Sequence, residues 1–196
     1  MHPHPKDDRV HAPPFNTWGD GVLVKGNAAS LLADYLKKAP AGHRRSLRIF
    51  MSTTTDPYQG PEAKHEITRH LLDVFSQYDD LDLLVVQTRS PLAERDIQLM
   101  RKIPYLWLSV TVETDDQEML TELRGGPPIA KRLHLVRAAV EQGIKTQIAV
   151  SPMLPPRDPV AFASLRDSTP AITARSASSA LSTRGSGRVA QSLRAT

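Results

Sequence analysis

LDLLVVQT, residues 81–88, is a run of apolar and β-branched residues that becomes polar only at its end and leads into Arg89-Ser90-Pro91. Near-continuous apolar runs of this length are the mark of a buried parallel strand. Working outward, the same kind of segment recurs three times. LRIFMSTTTDP (47–57) reads as a buried strand ending in a polar loop, YLWLSVTVET (105–114) is rich in the aromatic and β-branched residues that strands favour, and KTQIAVSPMLP (145–155) ends at a proline-marked loop.

Between these runs the apolar period changes to that of a helix. Leu31, Leu32, Tyr35 and Leu36 predict a helix over 28–38 with Asn27 as its N-cap, and Ile67, Leu71, Leu72, Val74 and Phe75 predict a second. A third is expected from about Leu92 to Lys102. Two more follow, split by Gly125-Gly126-Pro127-Pro128; the latter carries Ile129, Leu133, Val136 and Val140 on one face and Gly143 as its stop. Strands alternating with helical crossovers specify an α/β domain with a parallel sheet, since parallel neighbours need long connections.

Bulk properties narrow the function. At 196 residues the chain has room for one domain, short of the about 250 that a full eight-unit βα barrel takes. No apolar run approaches the roughly 18 residues of a membrane span and no signal-peptide pattern opens the chain, so a soluble cytoplasmic protein without a membrane partner is expected. The absence of cysteine excludes disulfides, Cys-ligated zinc and Cys-ligated iron-sulfur clusters within this chain. The net charge of +4 resides in residues 164–196, which hold five Arg and one Asp, leaving the rest neutral. Residues 1–21, rich in Pro and His, are expected to be flexible. The Ser/Arg/Ala-rich tail is expected to be disordered, because it cannot bury enough apolar surface to offset its ordering entropy. The domain expected between them spans 22–163.

Generic catalytic motifs are missing: there is no GxSxG, GxxxxGK[ST] or GxGxxG. His65-Glu66 begins like a zinc-protease helix, but the second histidine, His70, falls five residues on and points the wrong way around a helix. His2, His4 and His11 lie on a segment with no fixed geometry, so neither a catalytic residue nor a metal ligand is assigned. What remains is the polar material at the strand ends, where α/β enzymes bind ligands: Ser52 to Gln59, Gln87 to Ser90, Ser109 to Glu113, and Ser151 to Met153. Hydroxyls, one guanidinium and two carboxylates suit a polyhydroxylated, zwitterionic ligand. The same hydroxyls also serve as turn and helix caps, and composition does not separate the two uses.

Taken in order, VLVKGNAASLLADYL, STTTDPYQGPEAKHEITRHLLDVF, LLVVQTRSPLAERDIQLM, WLSVTVET and RLHLVRAAVEQGIKTQIAVSPMLP resemble successive blocks of the spore photoproduct lyase-like proteins of the radical S-adenosylmethionine (SAM) superfamily, which are related to DNA repair photolyases. The resemblance implies a partial (β/α) barrel, incomplete at both ends. It also implies SAM and a 4Fe-4S cluster as cofactors, with reductive cleavage of SAM to a 5′-deoxyadenosyl radical. Carried over by position, it implies SAM-binding roles for Thr55, Asp56, Arg89 and Ser109, with Tyr58 and Glu113 as further pocket residues. Lys25 and Asn27 match a block without an assigned role, and Thr53 occupies the place of a hydrogen-donating cysteine in the lyase proper. The chain departs from the family where a CxxxCxxC loop should precede VLVKGN: HAPPFNTWGDG stands there instead. The expectations are therefore a truncated or frameshifted family member without its cluster, inactive in radical chemistry. Alternatives are a cluster-free remnant that binds SAM or a nucleotide, and a nucleic-acid-binding protein acting through its basic tail.

Overall fold

Four short strands lie across one sheet in the order in which the chain makes them. β1 (Arg48–Met51), β2 (Leu83–Thr88), β3 (Leu106–Thr111) and β4 (Lys145–Ala149) are all parallel, ordered β1-β2-β3-β4, in a computed structural model that describes residues 24–52 and 54–164. An open doubly wound sheet has a point where strand order reverses. Here the order never reverses, and right-handed crossovers then carry every intervening helix to the same face. The result is a segment of a βα barrel, as the sequence implied.

The helices are α1 (Ala28–Lys38), α2 (Ala41–Arg44), α3 (Glu62–His65), α4 (Ile67–Phe75), α5 (Ile97–Met100), α6 (Gln117–Glu122), α7 (Ile129–Glu141) and α8 (Pro159–Ser164), with a 3-10 turn over Pro91–Asp96 before α5. Strand periodicity sorts the sheet into two faces. Leu84, Val86, Leu106, Leu108 and Val110 are buried and share a core with Leu36, Leu72, Phe75, Met100 and Leu135 of the helices. On the opposite face, the in-register row Phe50, Val85, Trp107, Lys145 is only partly covered, and Phe50 is 45% exposed. A row of three polar residues follows one step toward the carboxyl ends: Gln87, Ser109 and Gln147.

Several local expectations are corrected. The first strand is four residues long and lies at the sheet edge, half-exposed rather than buried, because it has a partner only on the β2 side. The helix expected over 92–102 is a 3-10 turn followed by one α-turn. Asn27 occupies the N-cap position of α1, but its side chain makes no capping bond; its carbonyl accepts from the Ser30 hydroxyl instead. The buried stripe of α7 is Ile129, Arg132, Leu135, Val136 and Ala139, turned from the expected face so that Leu133 and Val140 are only partly buried. Glu66 adopts φ +50° and separates α3 from α4, so His65 and His70 sit on different helices, both exposed. Gly143 ends α7 at φ +76°, the left-handed stop the sequence indicated.

Residues 1–23, Thr53, and the tail from 165 on lie outside the described residues, and with them His2, His4, His11 and the basic stretch. Among the described residues no helix is long and apolar enough to cross a membrane, and no cluster of His, Asp and Glu could hold a metal ion.

Leu108 is fully buried on the central strand β3, whereas Phe50 is half-exposed at the edge. Leu108→Ala is expected to cost about 2–5 kcal/mol and Phe50→Ala markedly less, as read from urea unfolding midpoints at constant m-value.

Candidate functional site

The carboxyl ends of the strands are joined by Asp56, which follows β1. Its Oδ1 accepts from the Tyr58 backbone N–H at 2.8 Å and from the Thr88 hydroxyl at 2.6 Å, and its Oδ2 accepts from the Arg89 N–H at 2.8 Å. Thr88 Oγ1 accepts in turn from the Ser90 N–H at 2.9 Å. A carboxylate offers about four acceptor positions, so among the described residues three are filled and one on Oδ2 is left. Asp56 therefore fixes the loop after β1 to the end of β2. Its neighbour Thr55 is exposed at the loop surface, and Ser52, at the end of β1, adopts φ +113°, a region that side-chain-bearing residues rarely enter.

The loop is anchored from behind by a second polar cluster. Asp96, fully buried, accepts from the Tyr58 hydroxyl (3.1 Å), Arg69 (3.0 Å) and Arg95 (3.0 and 3.1 Å). Glu62 caps α4 by accepting from the Thr68 and Arg69 N–H groups, and it also pairs with Arg95 at 3.1 Å. Burial pushes the Tyr58 phenol well above its ordinary range, and Asp96 beside it adds to the shift. Tyr58, expected as a pocket residue, is a buried strut at 2% exposure.

Arg89 projects from the end of β2 with its side chain 42% exposed, and its Nη2 lies 3.3 Å from Glu113 Oε1. Glu113 is buried, and its other oxygen accepts from Arg132 Nη1 at 2.6 Å. Arg132 is itself fully buried. It also donates to the carbonyls of Thr111 (3.2 Å), Gly125 (2.7 Å) and Pro127 (2.8 Å). Desolvation pulls its guanidinium below the ordinary value, and the Glu113 carboxylate pulls it back up.

Ser109 is fully buried in the polar row. It donates to Gln87 Oε1 at 3.4 Å and accepts from Gln147 Nε2 at 3.0 Å. The four candidate residues thus do not share one cavity. Thr55 and Asp56 line a groove of about 380 Å³ with Lys25, Ser52, Thr54 and His65 beside the β1 edge, and neither Arg89 nor Ser109 contributes to it. Asp56 and Arg89 meet through the backbone N–H of Arg89, and Arg89 and Glu113 through charge. Sequence reasoning placed Gln87 among the polar strand ends but missed Arg132 and Gln147. Its one available signal for Arg132 was a charge three residues after Ile129 and four before Val136, on a stripe that is otherwise apolar.

No protein-family model matches the chain. Uncharacterized proteins match by sequence: one of Methanocaldococcus jannaschii is 26% identical over 142 residues, covering 72% of this chain and 51% of its own length. One of Acidianus two-tailed virus is 30% identical over 144 residues, covering 71% and 44%. The chain thus spans about half the length of these relatives. Among solved structures, a variant of spore photoproduct lyase superposes with a TM-score of 0.57 at 15% identity, covering 81% of this chain and 49% of that one. A variant with a dinucleoside spore photoproduct gives 0.54 at 14% identity, covering 74% and 44%. The fold is similar to that of spore photoproduct lyase. At such identities the likeness concerns the fold alone.

Asp56→Ala leaves the N–H groups of Tyr58 and Arg89 without their acceptor, and each such loss costs about 1–3 kcal/mol where the donor is buried; the fall is read from the urea midpoint. A raised phenol pKa favours folding below the ordinary value of 10.0, and that contribution is lost as pH climbs through the elevated folded-state value. Tyr58→Phe is therefore expected to flatten the decline in stability above pH 10.0, and equal slopes for both proteins in alkaline unfolding titrations would contradict this.

Proposed function

We propose that this chain carries the SAM-binding side of a barrel related to the radical SAM lyases, and that it holds no iron-sulfur cluster of its own. The observation that carries the proposal is Arg89: a half-exposed guanidinium at the carboxyl end of a parallel strand, with its backbone held by Asp56 and one edge held by buried Glu113. A guanidinium restrained on one edge keeps its remaining N–H donors in a fixed fork, the arrangement that binds a carboxylate bidentately. The remaining acceptor position of Asp56 complements an ammonium, so the pair suits the amino-acid end of a zwitterion such as SAM. Thr55, exposed on the same loop, opens to the groove beside the β1 edge, so its hydroxyl serves only a part of the ligand that reaches past the Arg89 mouth, such as the ribose.

Ser109 enters this proposal differently from the others. Its hydroxyl is sealed between Gln87 and Gln147, so it meets a ligand only if one of those amides swings aside. Its part is to fix the amides beneath the mouth.

The cluster fails the test of its donors. Cluster iron takes thiolates, and the 196 residues contain none. SAM, when bound, supplies a sulfonium and an amino-acid group, and the residues present bind and orient these without cleaving a bond. Radical chemistry, a lyase activity and a nucleic-acid substrate are thus proposals for the longer relatives, resting on the family resemblance together with the shared fold.

Calorimetry of the whole chain with SAM decides the matter. A charge-assisted pair with Arg89 is worth about 1.5–3 kcal/mol, so Arg89→Ala is expected to weaken binding about 10- to 100-fold. An absence of binding heat from the unmodified chain would sink the proposal, and so would an affinity indifferent to Arg89→Ala.

A further inference from the structure

We infer that Arg132 is a positioning residue that aims Arg89 into the mouth, acting through Glu113 and through the Gly125–Pro128 loop. The inference rests on the reading of Arg89 as a carboxylate anchor and adds the group that makes Arg89 competent for it.

The case begins with the cost of the arrangement. Arg132 belongs to the buried stripe of α7, where leucine or methionine would fill the space without desolvating a charge. All of its donated bonds converge on one place. Three go to the carbonyls of Thr111, Gly125 and Pro127, which are the end of β3 and the loop between α6 and α7, and the fourth goes to Glu113. None is directed along α7 itself. The residue therefore fixes a loop and a carboxylate, both of which touch Arg89.

The loop contact is made by Gly126. It adopts φ +94°, and a methyl group added there would lie 3.4 Å from both Arg89 Cδ and Arg132 Nη2. The aliphatic stem of Arg89 thus runs against a glycine whose flanking carbonyls are held by Arg132. Gly125 is excluded from bearing a side chain for another reason: its Cβ would fall 2.3 Å from Leu120 Cδ1. Two adjacent glycines let the loop lie close enough to both helix and arginine.

The carboxylate contact divides Glu113 between two cations. Oε2 faces Arg132 at 2.6 Å and Oε1 faces Arg89 at 3.3 Å. Because Arg132 is sealed from solvent and Arg89 is not, the cation free to meet a ligand is Arg89. With Asp56 beside them, the two guanidiniums and two carboxylates balance. The ligand complementary to such a cluster brings its own balanced charges, as an α-amino acid group does. Without Arg132, Glu113 is left a buried carboxylate that draws Arg89 inward as its sole guanidinium partner, away from the mouth.

The test separates positioning from simple stabilisation by using two ligands, SAM and its decarboxylated analogue, with calorimetry on the whole chain. The unmodified protein is expected to prefer SAM by about 10- to 100-fold. Arg132→Met and, independently, Glu113→Gln are expected to abolish that preference while leaving affinity for the analogue within about twofold, well under a kcal/mol. Equal weakening of both ligands would mean that Arg132 only supports the fold, and would overturn the inference. A ligand-free measurement keeps the two proposals apart: the Arg89 Nε–Hε resonance, assigned by its loss in Arg89→Ala, is expected to sharpen the contrast between rigid and mobile side chains. It should be ordered in the unmodified chain and averaged in Glu113→Gln and Gly126→Ala. If the unmodified chain lacks any preference for SAM while Arg89 is ordered, the SAM proposal fails and the positioning stands. If Arg89 is equally mobile in every variant, the positioning fails. Should Arg132→Met not fold, Glu113→Gln and Gly126→Ala carry both measurements.

Discussion

A single carboxylate, that of Asp56, holds the working end of the sheet together. β1 is an edge strand of four residues with one partner, and its continuation is a polar loop with no strand bonding of its own. By taking the Arg89 N–H and the Thr88 hydroxyl, Asp56 binds that loop to β2 at the point where the ladder stops. Everything that faces the mouth from the first two strands inherits its position from this bond set. The price of an edge strand is loss of register beyond its last ladder bond, and Asp56 offsets it with three charge-assisted bonds, each stronger than a neutral one.

Behind and beside this clasp lie two buried charge clusters. One, around Asp96 and Glu62, braces the loop from the helix side; the other, around Glu113 and Arg132, braces Arg89 and the Gly125–Pro128 loop. Both keep their polar atoms satisfied, and no buried side-chain nitrogen or oxygen among the described residues lacks a partner. Buried ion pairs are poor contributors to net stability relative to apolar packing. Their value here is geometric, since a guanidinium with four donated bonds, as in Arg95 and Arg132, has no freedom to reorient. The opposite end of the sheet, at the start of the strands, contains a surface clasp instead: Arg44 with Asp80 at 2.8 Å and the Tyr78 ring at 5.5 Å.

Much of the fold was legible because it depends on apolar periodicity, which is local. LLVVQT and LWLSVT declare buried strands by composition alone, and the connecting helices declare themselves by spacing. The failures occur where tertiary partners decide. Nothing in RIFM announces an edge, because the exposure of Phe50 depends on which strand lies beside it. The turn at Pro91–Asp96 tightens to 3-10 where Asp96 is drawn inward by Tyr58, Arg69 and Arg95, residues 38, 27 and 1 positions away. The site was legible in part. Polar strand ends pointed to Asp56, Arg89 and Glu113, whereas Arg132 sits on a helix some twenty residues past β3 in a segment read as an amphipathic face. A charged residue on a buried stripe is the signal that could have found it.

Position also decides what the mouth can and cannot do. The groove beside β1, with Lys25, Thr55 and His65, opens at the edge where a preceding strand of a longer barrel would pair. Arg89 and Glu113 belong instead to the interior of the sheet, between β2 and β3, where neighbours on both sides fix the backbone. The groups that hold Arg89 in place, namely Asp56, Glu113, Arg132 and Gly126, are all supplied by this chain. Cluster chemistry depends on thiolates that it does not contain. Holding a zwitterionic ligand and reducing it are physically separable tasks, and the proposal for Arg89 concerns the first alone.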